Sequence, residues 1–172
     1  MATPQPGEEI AILQTNLGRI VLRFLDDKAP NHVQNFKNLA REGFYDGTKF
    51  HRVIPGFMIQ GGDPNTRSDD RSLHGTGGPP NRVKQEFNDT KHVRGILSAA
   101  RSSDPDSAGS QFFLMVANSP HLDGQYSAYG EVIEGMDVVD AIVNLPRDRR
   151  DNPNPENPAI IEKVTIEPFA GE

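Results

Sequence analysis

Residues 50–63 contain two short apolar runs separated by a proline-glycine pair, and no other segment constrains the fold as strongly. Because proline-glycine pairs mark turns, the runs on either side predict two strands that fold back on each other. Such a hairpin brings Arg52 and Gln60 close together, beside the apolar side chains of Phe57 and Met58. The expected surface is apolar with two polar groups, which suits a peptide better than a phosphate or a metal ion.

The frequency of turn residues extends this prediction to the whole chain. Among 172 residues there are 16 glycines and 14 prolines, which favours short strands and many turns over a helical bundle. The length is near that of one domain and allows a substantial core. We expect a single domain over residues 9–168, a flexible N-terminal tail at 1–8 and a short C-terminal tail at 169–172.

Hydrophobic periodicity predicts the individual elements. Alternating apolar residues indicate strands and apolar residues on one helical face indicate helices. The predicted elements are a hairpin over 10–24, a helix over 30–42, strands near 95–99, 112–116 and 128–132, a helix over 136–144 and a final strand over 160–166. Short strands with two isolated helices are typical of an all-β sandwich or barrel, and the pattern alone does not choose between them.

Composition excludes several classes of function. The net charge is −6, so nucleic acid is not an expected partner. Cysteine is absent and the five histidines lack helical metal-site spacing, so neither a metal nor a cofactor is expected. The N-terminus has neither the basic start nor the apolar run of a signal peptide, and no apolar stretch is long enough to cross a membrane. A cytoplasmic location is therefore the expectation.

Four motifs identify the chain as similar to a known family. They are residues 50–63, Gly95–Arg101, Gly109–Phe113 and Leu122–Gly124. In this order and spacing they resemble the cyclophilins, the cyclosporin-binding peptidyl-prolyl cis-trans isomerases, from about residue 10 to about residue 166. The resemblance implies a mainly β fold, a closed eight-stranded antiparallel β-barrel capped by two α-helices. It also implies a monomeric isomerase that acts on proline-containing peptides and unfolded protein clients and so assists protein folding.

The same resemblance implies the site residues. The catalytic arginine of the family matches Arg52. The residues that match its proline pocket are Phe57, Met58, Phe113 and Leu122, and those that match its hydrogen-bonding groove are Gln60, Ala100, Arg101 and Gln111. Arg101 replaces a frequent asparagine, and its expected role is through the main chain. Buried phenylalanines are ordinarily core residues, and that interpretation is kept for Phe112.

Two further substrate-binding positions depart from the family's best-known pattern. His121 stands where cyclosporin-sensitive members carry tryptophan, and Tyr126 stands where they carry histidine. We therefore expect weakened cyclosporin binding with isomerase activity retained, because neither side chain is the catalytic donor. Protonation of His121 is a further hypothesis, since it would make binding depend on pH.

Alternatives remain for the function and for one loop. A non-catalytic module of the same fold that binds proline peptides would also use an apolar groove, whereas a purely structural barrel would not need Arg52, Gln60 and Gln111 around Phe113. The Gly/Pro-rich segment 64–88 is either a connector or a wall of the binding groove.

Overall fold

Two strands near the start of the chain form the hairpin that the sequence predicts. In the computed structural model, which describes residues 4–79 and 81–170, β1 (Glu9–Thr15) pairs antiparallel with β2 (Gly18–Phe24). Their inward-facing residues, including Leu13 and Leu22, are fully buried. The alternation of apolar side chains thus places one face of the hairpin in the core.

The remaining strands extend this hairpin into one curled antiparallel sheet. They are β3 (Thr48–Lys49), β4 (Arg52–Ile54), β5 (Met58–Gly61), β6 (Ile96–Ala99), β7 (Phe112–Met115), β8 (Ala128–Glu134) and β9 (Ile160–Pro168). The sheet order is β3-β9-β1-β2-β8-β6-β7-β5-β4. Strands distant in sequence therefore become neighbours, as β5 and β7 do.

The two end strands of this order are consecutive in the chain. Only Phe50 and His51 separate β3 from β4. The Phe50 N–H donates to the Ala159 carbonyl at 3.0 Å, next to β9, and the His51 N–H donates to the Gln60 carbonyl at 3.0 Å, in β5. The sheet therefore curls until its edges meet at this segment.

The predicted mainly β fold with two helices is confirmed. The described residues contain nine strands, and the predicted number of eight results when β3 and β4 are counted as one interrupted strand. The sequence missed β3 because a strand of two residues carries no alternation of its own.

Both helices bury one apolar face against the sheet. Helix α1 (Pro30–Arg41) begins with proline, whose missing N–H costs nothing in the first turn, and it packs on β8 and β9. Helix α2 (Met136–Val143) packs on β2, β4 and β5. Val33 and Phe36 of α1 join Val139 of α2 in the main hydrophobic core. Both predicted helices are confirmed, with ends within one residue of the prediction.

The start of α1 is capped from a distant segment. Ala29, which precedes the helix, offers no side-chain acceptor. The Glu86 carboxylate instead accepts hydrogen bonds from the backbone N–H groups of Asn31 at 3.2 Å and His32 at 2.8 Å, and it contacts the His32 ring. This contact fixes the end of the 64–88 loop to the helix and satisfies donors that a helix start leaves unpaired.

Strand β7 separates the main core from a second apolar cluster. Phe112 and Leu114 point into the main core, which confirms the core interpretation of Phe112, whereas Phe113 points to the opposite face of the sheet. Phe113 belongs to a second cluster with Met58, Ile96, Met115, Leu122 and Ala128. The candidate site is built on this outer cluster.

The ends of the described chain lie next to each other. The Gly7 N–H donates to the Phe169 carbonyl at 2.8 Å, and the Phe169 N–H donates to the Glu8 carbonyl at 2.7 Å. The predicted division into tails and domain stays a prediction, and residues 1–3 and 171–172 of those tails lie outside the described residues. Within the described ranges, no helix has the length and apolar character needed to span a lipid bilayer.

Candidate active site

The hairpin of β4 and β5 aligns the two polar groups predicted for the site. Its turn is closed by the Phe57 N–H, which donates to the Ile54 carbonyl at 3.0 Å. Gly56 has φ 76° at the third position of this turn, after proline at the second, which is the geometry of a type II turn. The resulting register places Arg52 directly opposite Gln60, on the same face of the hairpin.

A cavity of about 150 Å³ lies beside this pair. The ladder of β5 with β7 sets Phe113 opposite Gln60, and Phe113 is only 5% exposed. Nine of the predicted site residues line the cavity together: Arg52, Phe57, Met58, Gln60, Ala100, Arg101, Phe113, Leu122 and Tyr126. The structure thus gathers side chains from five separate stretches of the chain around one apolar recess with a cation at its rim.

Buried polar residues support the Phe113 ring from behind. The His92 imidazole stacks on it, with ring centroids 6.2 Å apart. Because the Asp123 carboxylate accepts from His92 Nδ1–H at 3.2 Å, Nε2 accepts from the Ser98 hydroxyl at 2.9 Å. Burial lowers the pKa of His92 despite the adjacent Asp123, so the ring is neutral at neutral pH. Ser98 is fully buried, so this chain of hydrogen bonds holds the cavity floor and offers no accessible nucleophile.

A chain of amides connects Arg52 to the 64–88 loop. Arg52 Nη1 donates to Gln60 Oε1 at 3.4 Å, and Gln60 Nε2 donates to Gln111 Oε1 at 3.0 Å. Gln111 Nε2 in turn donates to the carbonyls of Gly75 and Gly77, each at 3.0 Å. The orientation of both amides is fixed by this sequence of donors and acceptors, so Gln60 presents oxygen to the arginine.

Gln111 lies just outside the apolar cavity. It lines an adjoining recess of about 370 Å³ together with Gln60, Arg101 and residues 75–79 of the 64–88 loop. This placement favours the groove-wall interpretation of that loop over the connector interpretation.

Comparison with known proteins identifies the family. The sequence profile of the family described as cyclophilin type peptidyl-prolyl cis-trans isomerase/CLD matches residues 10–166. The chain belongs to the cyclophilin family. A probable peptidyl-prolyl cis-trans isomerase of Brucella abortus is 43% identical over 172 residues, covering 96% of this chain and 86% of the relative. A peptidyl-prolyl cis-trans isomerase of Synechococcus elongatus is 46% identical over 139 residues, covering 80% of this chain and 90% of the relative.

Solved cyclophilin structures share the fold. A cyclophilin from Cryptosporidium parvum, crystallised in the presence of the dipeptide Ala-Pro, superposes with a TM-score of 0.84 at 32% identity, covering 93% of this chain and 99% of that one. A cyclophilin from Hirschia baltica gives a TM-score of 0.76 at 28% identity, covering 95% of this chain and 75% of the Hirschia chain. The predicted family and the predicted activity, peptidyl-prolyl cis-trans isomerisation, are confirmed. The non-catalytic and purely structural alternatives have no observation in their favour.

Position 121 of this cyclophilin lies at the edge of the cavity. His121 is exposed in the short 3₁₀ turn Pro120–Leu122 and does not line the cavity, whereas Leu122 does and is 6% exposed. The His121 ring centroid is 6.1 Å from that of Phe57. The structure therefore places His121 beside the apolar wall, where a larger ring would extend it.

Sequence reasoning gave Arg101 a role through its main chain only, whereas its side chain makes extensive contacts. The guanidinium carbon lies 4.6 Å from the centroid of the Tyr126 ring, and Nη2 donates to the Gln125 carbonyl at 2.8 Å. No local signal in the sequence connects positions 101 and 126, since they meet only through the sheet.

His51, the residue next to Arg52 in the chain, carries no charge at neutral pH. His51 is 7% exposed, and burial lowers its pKa to about 4 against the opposing effect of Asp63. His51 therefore adds no positive charge beside Arg52 at neutral pH. Over residues 4–79 and 81–170, no three His, Asp or Glu side chains converge as they would around a metal ion.

Proposed function

We propose that this isomerase binds the proline ring of an Xaa-Pro segment in the cavity over Phe113 and that Arg52 stabilises the twisted transition state. One observation carries the proposal: Arg52, held by Gln60, lies at the rim of an open apolar recess that nine predicted site residues line. The recess accommodates the ring, and the rim provides the donor.

The chemistry requires a donor at the proline nitrogen. Rotation about a peptide bond loses amide resonance, with a barrier of about 18–20 kcal/mol. In the twisted state the nitrogen regains its lone pair and becomes a hydrogen-bond acceptor, which it is not in the planar ground state. A guanidinium aimed at that nitrogen therefore binds the transition state better than the ground state, which is the condition for catalysis.

The apolar walls contribute through solvation. The planar amide is strongly dipolar because of resonance, so transfer to an apolar site disfavours it relative to the less dipolar twisted form. Met58, Phe113 and Leu122 are each at most 6% exposed and provide such a site. No proton transfer and no covalent intermediate enter this scheme, and none of the described residues that line the cavity is a serine, threonine, cysteine, lysine, histidine, aspartate or glutamate.

The groove beside the cavity positions the rest of the substrate. Gln60 holds the carbonyl side of the bond, and the edge at Ala100 and Arg101 pairs with an extended peptide. The recess along Gln111 continues this groove toward the 64–88 loop.

The proposed partners are proline-containing peptides and unfolded protein clients, with the chain acting as a monomer. The Cryptosporidium cyclophilin studied in the presence of Ala-Pro supports this substrate class. Cyclosporin is proposed as a weak ligand, because His121 provides less apolar area than tryptophan and occupies the rim.

A methionine-methyl NMR experiment tests the proposal. In a protein labelled at its four methionines, titration with a short Ala-Pro peptide should shift the signal of Met58, which lines the cavity, and leave that of Met136, which packs on the main core. Exchange spectroscopy on the same sample should show cis and trans peptide interconverting. Exchange without any shift at Met58 would place the reaction elsewhere.

A further inference from the structure

We propose that the Arg101 guanidinium is a positioning group for the isomerase reaction, because it fixes the Tyr126 ring as one wall of the proline cavity. The inference rests on the proposed function of that cavity and adds a side-chain role to a residue whose family resemblance implies a role through the main chain only. The proposed role of Arg101 affects the affinity for the substrate and the selectivity between a proline ring and a larger ring. It does not involve Arg52, the proposed catalytic donor.

The guanidinium is bound to the main chain on both sides. Nε and Nη2 donate to the Gln125 carbonyl at 3.0 and 2.8 Å, and Nη1 donates to the Ser102 carbonyl at 3.0 Å. Hydrogen bonds from a charged donor are stronger than those between neutral groups, and two donors of one planar fork on a single oxygen define its direction. Arg101 therefore fixes the carbonyl that immediately precedes Tyr126.

Two aromatic rings complete the contact. The guanidinium carbon lies 4.6 Å from the centroid of Tyr126 and 5.8 Å from that of Phe87. Both distances are within the range of a cation–π interaction. Phe87 belongs to the 64–88 loop, so Arg101 joins that loop to the segment of residues 123–127.

Tyr126 transmits this arrangement to the cavity. Its ring meets Phe113 edge to face, with centroids 5.6 Å apart and planes at 86°. Both rings line the cavity, and Arg101 lines both the cavity and the adjoining recess. The segment of residues 123–127 lies between the 3₁₀ turn and β8 without helix or strand structure. Its main chain is held on either side of Tyr126, by the Gln125 N–H on the Leu122 carbonyl and the Ala99 N–H on the Ser127 carbonyl, and Arg101 adds the contact with the Tyr126 ring itself.

Loss of the guanidinium should let Tyr126 move away from Phe113 and widen the cavity. Lysine cannot replace it, since an ammonium lacks both the planar fork and the flat face that stacks on a ring. Arg52 and Gln60 are on the opposite strand pair, so the catalytic donor should be unaffected.

Steady-state kinetics of four variants test the inference: Arg101→Ala, Arg101→Lys, Tyr126→Ala and the double variant Arg101→Ala/Tyr126→Ala. We expect Arg101→Ala to raise KM about threefold to thirtyfold while kcat stays within about twofold. Arg101→Lys should recover only a minor part of the loss. The double variant should be no worse than Tyr126→Ala alone, because Arg101 acts through that ring.

A second readout reports the width of the cavity. The ratio of kcat/KM for a pipecolyl peptide, whose ring has one more methylene, to that for a prolyl peptide should rise in Arg101→Ala. A general loss of stability would lower both values together and leave the ratio unchanged. The kinetic assays should be run at a temperature well below the melting temperature of each variant.

The matched control is Arg94→Ala. Arg94 also donates to a main-chain carbonyl, that of Val116, and pairs with Asp140, but it does not line the cavity. The KM of Arg94→Ala should equal that of the wild type, and so should its ratio of kcat/KM for the pipecolyl peptide to kcat/KM for the prolyl peptide. An unchanged KM in Arg101→Ala, or losses that add in the double variant, would overturn the inference. Wild-type turnover without a Met58 shift would instead overturn the proposed function, so the two failures are distinguishable.

Discussion

Arg52 lies directly opposite Gln60 in the ladder of β4 and β5, and Arg52 Nη1 is 3.4 Å from Gln60 Oε1. Because Gln60 is itself held by Gln111, the guanidinium has an acceptor of fixed orientation beside it before substrate arrives. In the proposed mechanism this acceptor limits the rearrangement that the arginine must undergo to reach the proline nitrogen, and a donor that needs little rearrangement stabilises a transition state most effectively.

Replacing this donor should remove most of the activity. We expect Arg52→Ala to lower kcat/KM by about 10²–10³, as loss of one preorganised transition-state donor does elsewhere. Arg52→Lys should recover little of this activity, since lysine lacks the planar fork of N–H donors that a guanidinium presents. Arg19→Ala, which removes an exposed arginine paired with Glu134, is the control and should keep full turnover in a proline-peptide assay. Turnover of Arg52→Ala within about threefold of the wild type would contradict the assigned role.

The cap on helix α1 predicts a loss of stability without a loss of chemistry. Glu86→Ala removes the acceptor of two helix N–H groups, and we expect the free energy of unfolding to fall by about 1–3 kcal/mol. Glu86→Gln should lose less of the free energy of unfolding, because its amide oxygen can still accept hydrogen bonds from the helix N–H groups. Urea unfolding followed by circular dichroism measures both, with exposed Glu162→Ala as the control. Equal stability of Glu86→Ala and Glu162→Ala would show that the cap is not needed.

Buried histidines predict destabilisation in mild acid. Burial lowers the pKa of His51 to about 4 in the folded state, so below its ordinary value of 6.5 the unfolded state binds the proton more readily. The stabilising contribution of neutral His51 is therefore complete above pH 6.5 and is lost as the pH falls toward 4. Burial shifts the pKa values of His32 and His92 in the same direction.

The titration of His51 can be separated from that of its neighbours. Asp63, His74 and Arg52 all influence it, so the comparison is between the wild type and His51→Asn rather than between two pH values alone. The free energy of unfolding of the wild type should drop by roughly 2–4 kcal/mol more than that of His51→Asn between pH 7.5 and pH 4. Parallel profiles for the two proteins would rule out His51 as a source of the acid sensitivity.

His121 predicts a change in cyclosporin binding that leaves catalysis unaffected. His121→Trp enlarges the apolar wall beside Phe57 and adds an indole donor, so cyclosporin affinity should rise by about tenfold or more. Because His121 lies outside the cavity lining, kcat/KM on a proline peptide should stay near the wild-type value. Isothermal titration measures the affinity, and an unchanged dissociation constant would mean that position 121 does not limit binding.

The local parts of the fold and site were predictable from sequence. The hairpin around the Pro-Gly pair, both helices and the opposite facing of Phe112 and Phe113 follow from turn chemistry and periodicity. Each depends on residues a few positions apart, which a single sequence displays.

The long-range contacts were not predictable. Glu86 caps a helix 54 residues away, His92 reaches the back of Phe113, and Arg101 meets Tyr126 across the sheet. Such contacts depend on which strands become neighbours, and this is set by the packing of the whole sheet rather than by any local pattern. For the same reason the sequence alone predicts only a main-chain role for Arg101.

The hydrogen bonds between Gly7, Glu8 and Phe169 have a consequence for engineering this enzyme. β9 and β1 are antiparallel neighbours, so a short linker from Phe169 to Gly7 would turn them into an ordinary hairpin. New termini could then be opened at an exposed turn elsewhere, and each strand would keep its present partners. A circularly permuted isomerase of this kind should fold and turn over peptide, with a fusion partner attached wherever the new ends are placed.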